Sequence, residues 1–257
     1  MNLKLKNPTQ IEKIRESGRI LSRTLHTLGK LVQPGVSPID IDHECRRLLK
    51  EAGATPAFLD YHGFPSSICV SVNEQVIHGI PTTRKFQPGD VVGLDIGVDL
   101  EGYISDSAYT FAVAPVSQEI AQLLSATKEA LRLGIEAAKP GGRIHDISRA
   151  IYRHVRQFGY GVVRPYCGHG VGFDVHEDPQ VPNYVSAGPN PRLKPGMVLA
   201  VEPMVNLGKD DVYVLDDDWT VVTRDGSISA HFEHTIAVRE DRIEILTELE
   251  QHHPVEA

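Results

Sequence analysis

Four carboxylates stand in this chain where carboxylates are costly. Asp95 lies in DVVGLDIGV (90–98) and Asp106 in YISDSAYTFAV (103–113), two apolar runs that read as strands. Residues 99–102, Asp-Leu-Glu-Gly, read as the turn between them. A hairpin symmetric about Leu100–Glu101 sets Asp95 directly opposite Asp106, with Cβ atoms about 4.5–5.5 Å apart. Opposed like charges destabilise a sheet, so the pair requires a shared proton or a cation. Isolated aspartates more often face solvent from an edge hairpin. VVGLDIGV, however, has the composition of a strand buried on both faces. A metal fits best.

Glu202 closes the run MVLAVE just before Pro203, and period-two alternation puts Val198, Ala200, Glu202 and Met204 on one face. Glu233 lies in HFEHTIAV, read as a further strand with His231 on its face and Phe232 and His234 on the other. A lone carboxylate among apolar strand residues is expensive unless paired or metal-bound. His169, flanked by glycines in YCGHGVGFDVHEDP (166–179), would by itself pass as a satisfied polar residue. Beside four carboxylates it becomes a fifth ligand. Four oxygen donors and one nitrogen suit Mn, Fe, Co or Zn, with Mg also admissible. Two such ions about 3.5–4 Å apart, bridged by carboxylates, supply a hydrolytic nucleophile and polarise a carbonyl.

The elements that must position these groups are written twice. Pro34-Gly35 opens PGVSPIDI and Pro140-Gly141 opens PGGRIHDI; Pro88-Gly89 opens PGDVVGLD and Pro195-Gly196 opens PGMVLAVE. The members of the two pairs are 106 and 107 residues apart. Each half begins with a helical pattern, Ile11 to Val32 and Gln118 to Ala138, where apolar residues recur with a period near 3.6. A second helix follows each first Pro-Gly, about 39–51 and 145–158, and stops near Gly53 or Gly159. Pro-Gly before a strand is common punctuation, but a shared offset across helix, turn and strand favours a duplication with the site between its halves. The expectation is one catalytic domain over 1–257 with a pseudo-repeat of about 10–115 and 116–240.

Composition narrows the classes of function. The 257 residues carry 26 Lys and Arg against 34 Asp and Glu, a net charge of −8, which argues against a direct nucleic-acid reader. No apolar run nears the roughly 18 residues of a membrane span, and MNLKLKNPTQ lacks a secretory h-region. Three scattered cysteines make neither a disulfide framework nor a zinc-finger spacing. The expectation is a cytoplasmic, reduced protein without membrane contact.

The stretches YHGFPSSICVSVNE, VIHGIP, LDIGVDLEGYISDSA, YCGHGVG, HEDPQVPNY, LKPGMVLAVEPMV, DDWTVVTRDGSISA and HFEHTIAV resemble the type I methionine aminopeptidases. These belong to the pita-bread group with prolidase, aminopeptidase P and creatinase. The resemblance runs from about Lys4 to Thr247 in the family's order and spacing. It implies an α/β (α+β) pita-bread fold, a curved and mainly antiparallel sheet with helices on its outer face, built from two pseudo-symmetric halves. It implies removal of N-terminal methionine from nascent proteins and peptides with a small second residue, by a monomer that makes transient ribosome contact. Asp95 would chelate one metal, His169 and Glu202 the other, and Asp106 and Glu233 would bridge. Glu202 would also act as general base, His176 would donate to the scissile carbonyl or oxyanion, and His78 would lie near the substrate amide. Phe58, Tyr61, Phe64, Cys69, Val175, Met204 and Trp219 would shape the methionine pocket. Asn73 and Ser229 would match an accessory monovalent-cation site.

There are departures from the family pattern. Gly97 stands where Thr is common, Val175 where an aromatic precedes the histidine, Phe58 where bacterial members often carry Cys, and His231 where Gln is usual. They bear on the pocket and leave the ligand set intact. The alternatives are an Xaa-Pro peptidase, which usually has an added N-terminal domain for which Met1 to about Gln33 leaves no room, and a non-catalytic binding protein, which would have shed ligands.

Overall fold

The computed structural model describes residues 2–248; Met1 and 249–257, part of the expected domain span, lie outside the described residues. Helix α1 (Pro8–Gly29) starts where the Asn7 side chain accepts the Gln10 N–H and Gln10 reaches back to the Asn7 N–H, a reciprocal cap. Helix α2 (Pro38–Glu51) follows Pro34-Gly35, and Gly53 continues past its end at φ +71°. Strands β1 (Thr55–Pro56), β2 (Cys69–Val72), β3 (Gln75–Ile77), β4 (Val91–Leu100) and β5 (Tyr103–Ala112) complete the first half. The second half repeats the two-helix opening with α3 (Gln118–Ala137) and α4 (Ile144–Arg156), again ahead of a positive-φ glycine, Gly159. Its strands are β6 (Gly161–Val162), β7 (Gly168–Gly170), β8 (Glu177–Val181), β9 (Val198–Val201), β10 (Met204–Asn206), β11 (Val212–Val214), β12 (Val221–Thr223), β13 (Ser229–His231), β14 (His234–Val238) and β15 (Ile243–Ile245).

The strand pairs are antiparallel. In the first half β4 pairs with β5 on one edge and with β2 and β1 on the other. In the second half the order is β15-β14-β9-β7-β8. Each sheet packs its helix pair through one set of alternate residues. Val92, Leu94, Ile96 and Val98 meet Leu21, Leu28, Ile41 and Leu49; Leu199, Val201, Ile236 and Val238 meet Leu123, Ala130, Ile147 and Ile151. Each fully buried Val, Leu or Ile among these stabilises by about 1.5–3 kcal/mol. The period of two then puts Asp95 and Gly97 on the face of β4 away from its helices, and Ala200 and Thr235 likewise.

Two local expectations change. The tight turn is Glu101-Gly102, both at positive φ (+55° and +82°), so the hairpin centre lies one residue beyond Leu100–Glu101. Asp95 therefore registers with Ala108, and Asp106 with Gly97. The two aspartates are diagonal neighbours on one face, their backbones about 7–8 Å apart by sheet geometry and their carboxyls near enough to share a hydrogen bond. HFEHTIAV is not one strand, and MVLAVEPMV is not either. The chain leaves one sheet at Glu202-Pro203 and again at Phe232-Glu233, so Met204 pairs with His231 apart from the sheet that holds Val198 and Ala200. Among the described residues no helix is long and apolar enough to cross a membrane.

Candidate metal centre and substrate cavity

The two strand breaks lie opposite each other, because β9 pairs with β14 up to them and β10 with β13 beyond. Strand β5 of the first half runs past this point and is tied to it by hydroxyls rather than by a regular ladder. Ser107 Oγ donates to Glu233 O (2.6 Å) and Thr110 Oγ1 to His231 O (2.7 Å). Thr235 Oγ1 accepts the Asp106 N–H (3.0 Å) and donates to Asp106 O (2.7 Å). The Glu233 N–H reaches Ala108 O at 2.9 Å. Glu202 and Glu233, at the two strand breaks, are thereby brought to Asp106 in the middle of β5.

His169 comes from β7, where a Cβ on Gly168 would lie 2.3 Å from Ala200 O and one on Gly170 2.4 Å from Asp178 O. Only glycine lets this strand slip between β9 and β8. His169 Nδ1 is 2.9 Å from Gly170 O; a carbonyl only accepts, so Nδ1 carries the proton and Nε2 offers its lone pair. That Nε2 is 3.4 Å from Glu202 Oε1 and 3.8 Å from Asp106 Oδ2. Asp106, His169 and Glu233 each present a ligand atom within 4.8 Å of the others. Asp95 Oδ1, Asp106 Oδ1 and Glu233 Oε1 are shielded from solvent without a hydrogen-bond partner, which is costly unless a cation takes them. The donor set thus fits divalent metal.

Without a cation, burial pushes the Asp95 carboxyl up to about 7 and those of Asp106 and Glu233 well above the usual range. Glu202 goes the other way: burial raises it, but the His231 hydrogen bond and the neighbouring His169, His231 and His176 outweigh that and keep it low. His231 Nε2 stands 3.5 Å from Glu202 Oε2 and 4.0 Å from Glu233 Oε2. One carboxylate of the cluster is held ionised while the others need a metal to be so.

A cavity reaches this cluster and is walled by Phe58, Tyr61, Phe64, Cys69, His78, His176 and Trp219. Cys69 registers against Asp95 across β2 and β4. Trp219 is presented by a turn in which Asp217 Oδ1 accepts its N–H and that of Thr220, and its ring meets Phe64 edge-on at 5.1 Å. His176 Nδ1 is 3.0 Å from Tyr61 Oη, and its ring is 4.3 Å from that of His169. His78, at φ +57°, is drawn down to about 4 by burial.

Two expected pocket residues lie elsewhere. Val175 does not line the cavity but is buried behind its wall, in the cluster that holds Ile11, Ile14 and Val171 together with Phe58, Phe64 and Cys69. Met204 packs with Val76, Ile77, Val163 and Val221, since β10 has left the site's sheet. His62 lines the cavity and was not foreseen; its signal was adjacency to Tyr61 in YHG, where it takes φ +51°. Two departures prove to be one. A Cβ on Gly97 would fall 2.5 Å from Phe58 Cε1, so the Phe58 ring occupies the space that a side chain at 97 would need. Asn73 O accepts the Ser229 N–H (2.9 Å), which places the two accessory residues together.

A buried carboxylate–histidine cluster at the junction of two helix-backed antiparallel halves has the make-up of a metal centre. The profile of metallopeptidase family M24 matches residues 12–240, and the chain belongs to that family. It is 50% identical over 242 residues to methionine aminopeptidase 1 of Bacillus subtilis, covering 94% of this chain and 98% of that protein. The methionine aminopeptidase of Thermotoga maritima superposes with a TM-score of 0.93 at 41% identity, over 96% of this chain and all of that one. Prolidase from Pyrococcus furiosus has a TM-score of 0.77 at 24% identity and is spanned over 66% of its length, which shows a shared fold. The architecture is the pita-bread fold of these structures.

Proposed function

We propose that the chain removes N-terminal methionine from peptides and nascent proteins with a small second residue, using two divalent ions drawn from Co, Mn, Fe and Zn. The observation that carries this reading is one cavity with two ends: an apolar end of aromatic rings and Cys69, and a polar end of carboxylates. Asp95 would hold one ion, His169 and Glu202 the other, with Asp106 and Glu233 between them. Bound there, the ions supply Lewis acidity for amide hydrolysis.

The rest falls to side chains. Phe58, Tyr61, Phe64, Cys69 and Trp219 enclose an unbranched apolar side chain and exclude water from it. Glu202, kept ionised, accepts the proton of the attacking water and passes it to the leaving amine. Burial raises the Tyr61 phenol, which stays protonated and donates to His176 Nδ1. His176 Nε2–H is then the donor to the scissile carbonyl as charge develops on it. Neutral His78 lies beside the substrate amide. A closed cavity of this kind would meet the substrate just beyond the scissile bond, which would favour a small second residue. On the same reading the protein would work in the cytoplasm as a monomer, in transient contact with ribosomes, with Asn73 and Ser229 holding a monovalent cation.

Metal-free protein given Co(II) or Mn(II) should release methionine from Met-Ala-Ser and leave Leu-Ala-Ser and a proline-containing peptide uncut. Cleavage only before proline would replace this reading by an Xaa-Pro peptidase. Silence on all three with metal bound would replace it by a binding role.

Gly97→Thr alone should push the Phe58 ring into the cavity and lower kcat/KM for Met-Ala-Ser by about tenfold or more, as overpacking costs about 1–3 kcal/mol. Adding Phe58→Cys should recover most of that loss at unchanged metal content. Equal losses in the single and double variants would refute the coupling.

A further inference from the structure

The segment ahead of α1 runs alongside the loop that delivers His176. Leu3 forms a parallel bridge with Asp178, the Asn2 N–H donates to the Asp178 carboxylate (2.6 Å), and the Lys6 N–H donates to Gly196 O (2.8 Å). The Lys6 side chain is 1% exposed, and its Nζ donates to Oε2 of Glu177, whose side chain is wholly buried. The other oxygen of that carboxylate, Oε1, accepts the Phe173 N–H (2.8 Å) and the Asp174 N–H (3.1 Å). One carboxylate thus ties the N-terminal arm to two peptide groups of the loop whose last residue is His176.

Space is reserved for this lysine. Gly172, at φ +134°, closes the loop by donating to Asp174 O (3.2 Å), and a Cβ there would lie 2.8 Å from Lys6 Cε. Lys6 Nζ also stands 5.1 Å over the Phe173 ring. A buried lysine is rare, because burial disfavours its charge, and here it meets a wholly buried carboxylate whose other oxygen has the half-exposed Lys4 Nζ only at 4.0 Å. The metal and cavity chemistry uses neither group.

We propose that Lys6 is a positioning residue for His176: acting through the Glu177 carboxylate, it holds the 172–175 turn so that the imidazole stays against Tyr61 at the cavity wall. The catalytic consequence rests on the peptidase reading above, whereas the geometric one does not.

The test uses Lys6→Met and the pair Lys6→Met/Glu177→Gln, which removes both charges and so retains the fold if the single variant loses it. In the folded variants, kcat for methionine release from Met-Ala-Ser should fall about tenfold or more with KM and metal content unchanged. In a His176→Ala background the same changes should cost nothing further. The imidazole ¹⁵N spectrum of His176 should show one tautomer in the native protein and a mixture in the variants. A lower Tm with native kcat, or the same fold-loss with and without His176, would overturn the proposal. If the native protein itself releases no methionine, the peptidase reading fails, and the ¹⁵N spectrum alone decides the positioning role: an unchanged tautomer overturns it and a mixture supports it.

Discussion

Asp106→Asn should lower methionine release at least ~10³-fold and abolish the rise in Tm that added Co(II) or Mn(II) produces in the native protein. Asparagine keeps the shape and removes the charge at the point where β5 meets the two strand breaks. The variant also reverses the order of stability when metal is withheld. In the metal-free protein burial holds Asp95 near 7 and Asp106 and Glu233 well above the usual range. A carboxyl raised in this way keeps a proton that the unfolded chain has already released. Its contribution is full below about pH 4, the unfolded value, and is lost as pH climbs, through about 7 for Asp95. Asparagine has no proton to lose. Calorimetry at pH 8 should find metal-free Asp106→Asn melting above the metal-free native protein, and the order inverted once metal is added. A variant that keeps both turnover and the metal-induced rise would remove Asp106 from the ligand set.

His176→Ala should lower kcat by about 10²–10⁴-fold while metal content stays at the native level. Its imidazole reaches solvent at the cavity mouth, yet desolvation at the wall, and then the neighbouring His169, hold it down to about 4. A bound cation would shift it further the same way. His176 is therefore neutral from pH 6 to 9, and the loss factor should be constant across that range. A factor that shrinks as pH rises would mean that the imidazolium acts instead. Tyr61→Phe frees His176 to take the other tautomer and should cost about 10–100-fold at most pH values. Native kcat in His176→Ala would end its assignment as donor.

The candidate donors were legible because a carboxylate in an apolar strand has few affordable environments, and a cation is one of them. The helix pairs were legible from a 3.6-residue period ended by positive-φ glycines such as Gly53 and Gly159. The hairpin register was not. Any of several centres fits Asp-Leu-Glu-Gly, and the choice falls to the residues that can take positive φ together, Glu101 and Gly102. Moving the centre by one residue moves each partner by two, so Asp106 kept its face while losing its place opposite Asp95.

What the chain determined alone is everything carried by local periodicity and by the cost of burying charge: the helix pairs and the candidate donors. What tertiary structure decided is everything that depends on which distant groups compete for one space or one hydrogen bond. The breaks at Glu202-Pro203 and Phe232-Glu233 look continuous in sequence and are set where hydroxyls of β5 replace a ladder. Gly97 and Phe58 are read as two substitutions until one ring is found in the other's volume. Lys6 and Glu177 are an unremarked lysine and glutamate until folding buries them against each other. Periodicity and burial cost are properties of a segment, whereas exclusion and pairing are properties of residues far apart in the chain that folding brings into contact.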